Sequence, residues 1–88
     1  MKCKYMIEKM ELDGEIIGVP VGDNASELHA VLNLNEEAMR ILELLRDETT
    51  EQAVVAQLLK EYDGSEAKIA GAVHSFIDQL RQEGLLEE

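Results

Sequence analysis

The chain has 88 residues, which is enough for one domain and too few for two. Its 19 acidic and 8 basic residues give a formal net charge of −11, which opposes binding to nucleic acid and favours basic or neutral partners. The single cysteine, Cys3, cannot form an internal disulfide and indicates a reducing compartment. No apolar run approaches the ~20 residues of a membrane span and none resembles a signal peptide, so we expect a cytoplasmic protein with no membrane partner.

The first third of the chain alternates in the manner of β-strands. Residues 4–12 and 15–21 flank Asp13-Gly14, a dipeptide that tolerates the positive φ angles of a type I′ turn, and are predicted to form a hairpin. Pro20 lacks a backbone donor, so the second strand is expected to end there or to have a free edge. Alternation groups the apolar residues on one face of each strand: Met6, Met10 and Leu12 in the first, Ile17, Val19 and Val21 in the second.

A third strand is predicted over residues 28–33, after a loop whose residues favour turns. This segment carries no charged residue and no proline, the two features that usually protect the edge of a sheet. Two interpretations stay open at this point. The strand is either short and simply paired, or it is an edge to which another chain adds by β-augmentation.

The remainder of the chain has the apolar periodicity of three helices, predicted over residues 36–46, 50–62 and 66–83. Asn35 and Ser65 are predicted N-caps, and Thr49 with Gln52 has capping-box spacing. Gly84 is expected to end the last helix, with the following leucines folding back on the core, and Cys3 is expected near a fraying end. The predicted buried stripes are Ala38, Ile41, Leu42 and Leu45; Val55, Leu58, Leu59 and Tyr62; and Ile69, Val73, Phe76, Ile77 and Leu80.

Three strands followed by three helices indicate an α+β fold, a single domain over residues 1–88 with a three-stranded antiparallel sheet. The two last helices, joined by Asp63-Gly64, have the pattern of a winged helix-turn-helix. A DNA-binding or transcription-regulatory role is therefore kept as the alternative function. The acidic residues of the last helix weigh against it, because a reading helix needs cations and amides facing the groove.

The sequence offers little that could support catalysis. Cys3, His29 and His74 lie far apart, so no metal-ligand spacing is present. The glycines are scattered and form no phosphate-binding loop, and no cofactor is implied. We therefore expect that the protein is not an enzyme.

An ordered set of segments in residues 28–87 resembles the PqqD family. In that family a strand that ends in a Leu-Asn element runs into a helix with a small residue and an aliphatic pair. Here Asn35 and Ala38 fill the Asn and small-residue positions. The matching segments are Leu32-Asn33-Leu34-Asn35-Glu36-Glu37-Ala38, Ile41-Leu42-Glu43-Leu44-Leu45, Thr49-Thr50-Glu51-Gln52, Leu58-Leu59-Lys60-Glu61-Tyr62, Phe76-Ile77-Asp78-Gln79-Leu80 and Gly84-Leu85-Leu86.

The resemblance implies a winged-helix-like recognition element for ribosomally synthesised, post-translationally modified peptides. Such domains bind the leader of a precursor peptide as a strand added to the third strand, beside the last helix, and present the peptide to a modifying enzyme, often a radical-SAM protein. Carried onto this sequence, the strand residues are His29, Ala30, Val31 and Leu32, and the groove wall is drawn from Ala72, Val73, Phe76, Gln79 and Leu80. Since leaders are often acidic, Lys68 or Arg81 is expected to border the groove and pair with a leader carboxylate. The free edges also leave open the pairing of two copies into a dimer.

Overall fold

The computed structural model describes residues 1–22 and 31–88, which form five strands and three helices. In chain order these are β1 (Lys2–Cys3), β2 (Met6–Leu12), β3 (Glu15–Val21), β4 (Leu32–Leu34), α1 (Glu36–Leu44), α2 (Glu51–Glu61), α3 (Glu66–Gln82) and β5 (Leu86–Glu87). Strands β2, β3 and β4 form an antiparallel sheet in that order, and the helices follow it in the chain. The predicted α+β fold, a three-stranded antiparallel sheet followed by three helices, is confirmed.

The hairpin turns at Asp13 and Gly14, whose φ angles of 52° and 80° are both positive, as a type I′ turn requires. The first strand is shorter than predicted at its start. Residues 2–3 form the separate strand β1, which pairs with β5. The N–H of Cys3 donates to the carbonyl of Leu45 at 2.9 Å, so the expectation that Cys3 lies at a fraying end is wrong.

Strand β3 is central, with β2 along its whole length and β4, as far as the structure describes it, beside Ile16 to Gly18. Pro20 lies opposite Ile7 of β2 and beyond the last described pair with β4. Its missing N–H therefore interrupts neither described ladder. The strand does not end at Pro20 but continues to Val21, and the expectation of a free edge at this residue stays a prediction, because the residue opposite it on the β4 side lies outside the described residues.

The two faces of the sheet differ in what covers them. On the inner face Ile7, Ile16, Leu32 and Leu34 pack into the core around Gly18. The outer face leaves Met6, Met10 and Leu12 exposed, at 71%, 52% and 60% of their surface. The apolar residues that the sequence grouped together thus form the outer face of the hairpin, and the residues between them reach the core.

Side-chain caps begin the helices. Asn35 Oδ1 accepts from the N–H of Ala38 at 2.7 Å, and Ser65 Oγ accepts from the N–H of Lys68 at 3.2 Å, so both predicted caps are confirmed. The cap of α2 is Thr50, which corrects the prediction of Thr49. The N–H of Thr49 donates to the carbonyl of Met1 at 3.0 Å, which ties Thr49 to the N-terminal segment instead.

The core lies between the sheet and the helices. The predicted stripe of α1 is fully buried, but α2 buries Val54 with Leu58, while Val55, Leu59 and Tyr62 pack at the edge of the core. Gly84, with a φ angle of 75°, ends α3, and the N–H of Leu85 donates back to the carbonyl of Leu80 at 2.9 Å. Leu85 and Leu86 are buried, as predicted. No helix of the described residues has the length and apolar character needed to cross a membrane.

Candidate functional site

Strand β4 has β3 on one side, and no strand of the described residues pairs with its other edge. Along an antiparallel strand the N–H and C=O groups of successive residues point alternately to the two sides. A two-residue turn makes the residues that flank it, here Leu12 and Glu15, a hydrogen-bonded pair. Glu15 and Ile17 therefore face β2, whereas Ile16 and Gly18 face β4. Their partners in register are Leu34 and Leu32, which turn their backbone groups inward.

Asn33 lies between these two leucines and opposite Ile17, so its N–H and C=O point to the open edge. The same alternation directs the backbone of Val31 outward, and its side chain is 60% exposed. Leu32 was predicted to belong to the binding edge, but its backbone faces β3 and its side chain is fully buried, so this prediction is corrected. His29 and Ala30, the other two predicted edge residues, lie outside the described residues.

A groove of about 260 Å³ runs between this edge, the start of α1 and the surface of α3. Three of the predicted wall residues, Ala72, Phe76 and Gln79, line it. A neighbouring depression of about 400 Å³ shares Asn33 and Asn35 with the groove and extends along the sheet to the hairpin turn. The groove is lined by Asn33, Asn35, Glu37, Ala38, Ile41, Ala72, Ser75, Phe76 and Gln79.

Three predicted site residues lie elsewhere. Val73 and Leu80 have no exposed surface and support α3 from the core side, so they do not line the groove. At about 100° per residue, Arg81 lies about 200° around α3 from Gln79, on the opposite flank. There its guanidinium binds the carboxylate of Glu88 at 2.9 Å and 3.0 Å, and this ion pair raises the pKa of Arg81. The prediction that Arg81 borders the groove is corrected.

Lys68 is not one of the residues that line the groove, and its place at the border stays a prediction. It is exposed and lies four residues before Ala72, one turn away on the same flank of α3. The charged residue that lines the groove itself is Glu37, and the remaining lining side chains are amides, a hydroxyl and apolar groups. This surface suits an extended polypeptide, with backbone pairing at Asn33 and shallow polar contacts along α3.

Sequence reasoning did not assign six of the lining residues to the site: Asn33, Asn35, Glu37, Ala38, Ile41 and Ser75. Asn33 was part of the predicted strand, and the two-residue turn fixes the direction of its backbone once the register is known. Ser75 lies about 60° from Ala72 and about 40° from Gln79 on the helical wheel, at about 100° per residue, so the flank could have been extended from the sequence. Glu37 was interpreted as a carboxylate that stabilises the N-terminus of a helix. It does lie in the first turn of α1, and it lines the groove as well.

The described residues bring together no cluster of three or more His, Cys, Asp or Glu side chains suited to a metal ion. His74 contacts Glu51 at 3.3 Å on the flank of α3 that faces α2, away from the groove. Burial raises the pKa of the Cys3 thiol to about 11, which keeps it protonated near neutral pH and a poor nucleophile. Among the described residues the groove itself is lined by one carboxylate, Glu37, and one hydroxyl, Ser75, and by no histidine, cysteine or lysine.

An α+β domain of this kind, with a groove between an open edge strand and the last helix, has the architecture of a winged-helix-like recognition domain. Residues 22–86 match the model of the family described as Coenzyme PQQ synthesis protein D (PqqD). The chain belongs to the PqqD family. No match was found among curated proteins. The fold is similar to that of a solved structure titled "TbiB1 in Complex with the TbiA(beta) Leader Peptide", with a TM-score of 0.68 and 20% identity over 99% of this chain and 95% of the other.

Proposed function

We propose that this protein binds the leader segment of a ribosomally synthesised precursor peptide, as a strand added to the open edge of β4. The observation that carries the proposal is the coincidence of two features at Asn33. Its backbone groups point out of the sheet, and it lines the groove beside α3. Membership of the PqqD family and a structural neighbour solved with a leader peptide support the assignment.

The chemistry of the groove fits a peptide that is ordered only when bound. Backbone pairing at an edge strand is largely indifferent to side chains, so selectivity must come from what the groove accepts along α3. A disordered leader loses conformational entropy on binding, which keeps the affinity moderate and permits release. The protein would act without catalysis, in the cytoplasm, and present the bound precursor to a modifying enzyme, for which a radical-SAM protein is the first candidate.

The DNA-binding alternative finds no support in the comparisons. Arg81, one of the two cations of α3, is held by Glu88, and Glu37 lies in the groove. Binding of DNA would be seen as a shift of a labelled duplex that weakens steeply with salt.

The proposal predicts that a short precursor peptide is encoded next to this gene, and the test uses that peptide with a Val31→Pro variant. Proline removes the outward N–H of Val31 without breaking a pair with β3, so we expect leader binding to be lost while the helical circular dichroism persists. Val31→Ala keeps the N–H and is the matched control, with near-normal affinity expected. A folded Val31→Pro variant with an unchanged titration curve would contradict the proposal.

A further inference from the structure

Strand β2 is the second open edge of the sheet among the described residues. Its even-numbered residues face β3 across the hairpin, so Ile7, Lys9 and Glu11 turn their N–H and C=O groups away from the sheet. This edge is longer than that of β4, with seven residues against three. Charged residues on an edge strand usually oppose pairing, so the edge alone would not indicate a binding site.

A pocket of about 490 Å³ lies directly beside this edge, between β2 and α1. Its apolar part includes Ile7, Met39 and Leu42, and methionine side chains adapt readily to apolar groups of different shape. Side chains of odd-numbered β2 residues point to the same side as the pocket. A chain that paired with Ile7 and Lys9 would therefore place alternate side chains over it.

The charged residues that line this pocket are mainly positive, whereas the molecule as a whole is negative. Lys9 and Arg46 line it, and neither has an ion pair among the described residues. The single lining carboxylate, Glu43, is 3.4 Å from Arg40. The groove beside α3, by contrast, is lined by one carboxylate and no lysine or arginine. In a chain of net charge −11, two cations at an apolar pocket favour an acidic ligand.

A ligand strand on the edge of β2 and one on the edge of β4 must be two different segments of polypeptide. They lie on opposite sides of the sheet, about 10 Å apart at two strand spacings, and a segment added to β4 cannot also pair with β2. A second copy of this chain is disfavoured, because two molecules of net charge −11 repel each other.

We propose that the edge of β2 and the pocket beneath it form a second peptide-binding site, which takes an extended segment of a partner protein that carries an apolar and an acidic residue two positions apart, so that both side chains face the pocket. The partner's backbone pairs with Ile7, Lys9 and Glu11. An apolar side chain enters the pocket against Met39 and Leu42, and a carboxylate meets Lys9 and Arg46. The site is separate from the groove of the proposed function and does not depend on it.

The probe is a labelled nine-residue peptide with threonine at every second position and leucine and glutamate in turn between the threonines, so that leucine and glutamate share one face. The same peptide with lysine in place of glutamate is its control. We expect the acidic peptide to bind, with amide shifts and slowed hydrogen exchange at Ile7, Lys9 and Glu11, and the lysine peptide not to bind. Lys9→Ala combined with Arg46→Ala should weaken binding by roughly two- to thirtyfold, as two partly exposed ion pairs allow. Lys60→Ala combined with Arg81→Ala removes the same charge elsewhere and should leave binding nearly unchanged.

A backbone variant makes the test independent of charge. Lys9→Pro removes an outward N–H from an edge strand, which the sheet tolerates, and should abolish binding. Val31→Pro should not affect this peptide, which separates the site from the groove beside α3. Shifts confined to Asn33 and α3, absence of binding up to about 1 mM, which corresponds to about −4 kcal/mol, or concentration-dependent dimerisation through the same amides would each overturn the proposal.

Discussion

Gln79 and Glu37 line the same groove from different helices, Gln79 from α3 and Glu37 from the first turn of α1. Gln79 is exposed, so it is free to contact a ligand without supporting the core. Gln79→Glu would place a second carboxylate in the groove and repel an acidic leader. We expect the dissociation constant of the leader to rise roughly two- to fivefold, as for a partly exposed charge pair, with little change in melting temperature.

Gln52→Glu is the matched control for this charge change. Gln52 is exposed in the first turn of α2, where a carboxylate is favourable at the helix N-terminus. The control should bind the leader as the wild type does. A large fall in the melting temperature of Gln79→Glu would instead mark Gln79 as a structural residue.

Cys3 allows a second measurement on a single side chain. Burial raises its pKa from 9.0 to about 11, so the folded thiol remains protonated over a range in which the unfolded thiol has ionised. Alkylation by iodoacetamide at about pH 8 should therefore be slow in the folded protein and fast in denaturing urea. The stability should fall as the pH rises from about 9 to about 11, because the unfolded state releases the proton first. Equal alkylation rates in the folded and unfolded protein would contradict this.

Among the elements, the packing of the central strand depends on one glycine. A Cβ at Gly18 would lie 2.8 Å from Ile7 Cγ2 and 3.0 Å from Leu34 Cδ1, closer than carbon atoms pack. Gly18→Ala must displace the side chains of Ile7 and Leu34 in the core, and we expect a loss of about 1–3 kcal/mol in the free energy of unfolding.

Gly71→Ala is the control, because Gly71 lies in α3 and the added methyl group would have no neighbouring atom within 4 Å. Alanine is a better helix former than glycine, so this variant should gain about 0.5–1 kcal/mol. Denaturant unfolding of both variants measures the two effects. A Gly18→Ala variant as stable as the wild type would show that the side chains around Gly18 can rearrange without loss of stability.

Helices α1 and α2 are joined by a bidentate ion pair, in which Arg40 Nε and Nη2 each donate to a Glu61 oxygen at 2.8 Å. The hydrogen bond from Arg40, with a further one from Gln57, lowers the pKa of Glu61 from 4.5 to about 2. The stabilisation is present above pH 4.5 and is lost as the pH falls toward 2. Arg40→Ala should therefore lower the melting temperature near neutral pH and have less effect at the acid end of this range. An equal effect at both pH values would exclude the pair as the cause.

The elements that the sequence predicted well are those in which an apolar pattern repeats over many residues, or which contain a specific turn. Three helices repeat an apolar stripe over several turns, and Asp13-Gly14 has few alternatives to a tight turn. The strands β1 and β5 were not predicted, because each has only two residues, too few to show an alternating pattern. Their pairing also depends on contacts between the two ends of the chain. The shift from Thr49 to Thr50 has the same origin, since the N-terminal segment occupies the N–H of Thr49.

The site was predictable in outline from the family resemblance and less so in its details. Of the residues predicted on the last helix, Ala72, Phe76 and Gln79 line the groove. Val73 and Leu80 were chosen from the same apolar stripe, which is the part of α3 that the core buries completely. A stripe identifies the buried face of a helix, whereas a groove is lined by the flank beside it. That flank can be assigned only when the neighbouring strand is placed.

For the whole molecule, the placement of the few cations decides how its negative field acts on a ligand. Arg40 and Arg81 are paired with carboxylates, while Lys9 and Arg46 line the pocket beside β2. Lys68 is exposed on α3, one turn before the groove residue Ala72. An acidic leader would therefore approach a groove with one carboxylate inside, and we expect Lys68 to be the cation at its border.

The last prediction concerns the salt dependence of leader binding. A border cation contributes only ~0.2–1 kcal/mol to the affinity and acts mainly on the association rate. The Debye length falls from about 10 Å at 0.1 M salt to about 3 Å at 1 M, so the association rate of an acidic leader should fall as salt rises over roughly 0.05–0.5 M. Lys68→Ala should lower the rate at low salt and flatten this dependence, whereas Arg81→Ala, on the opposite flank and bound to Glu88, should behave as the wild type. If wild-type binding strengthens steadily with salt, the leader meets net repulsion and Lys68 does not guide it into the groove.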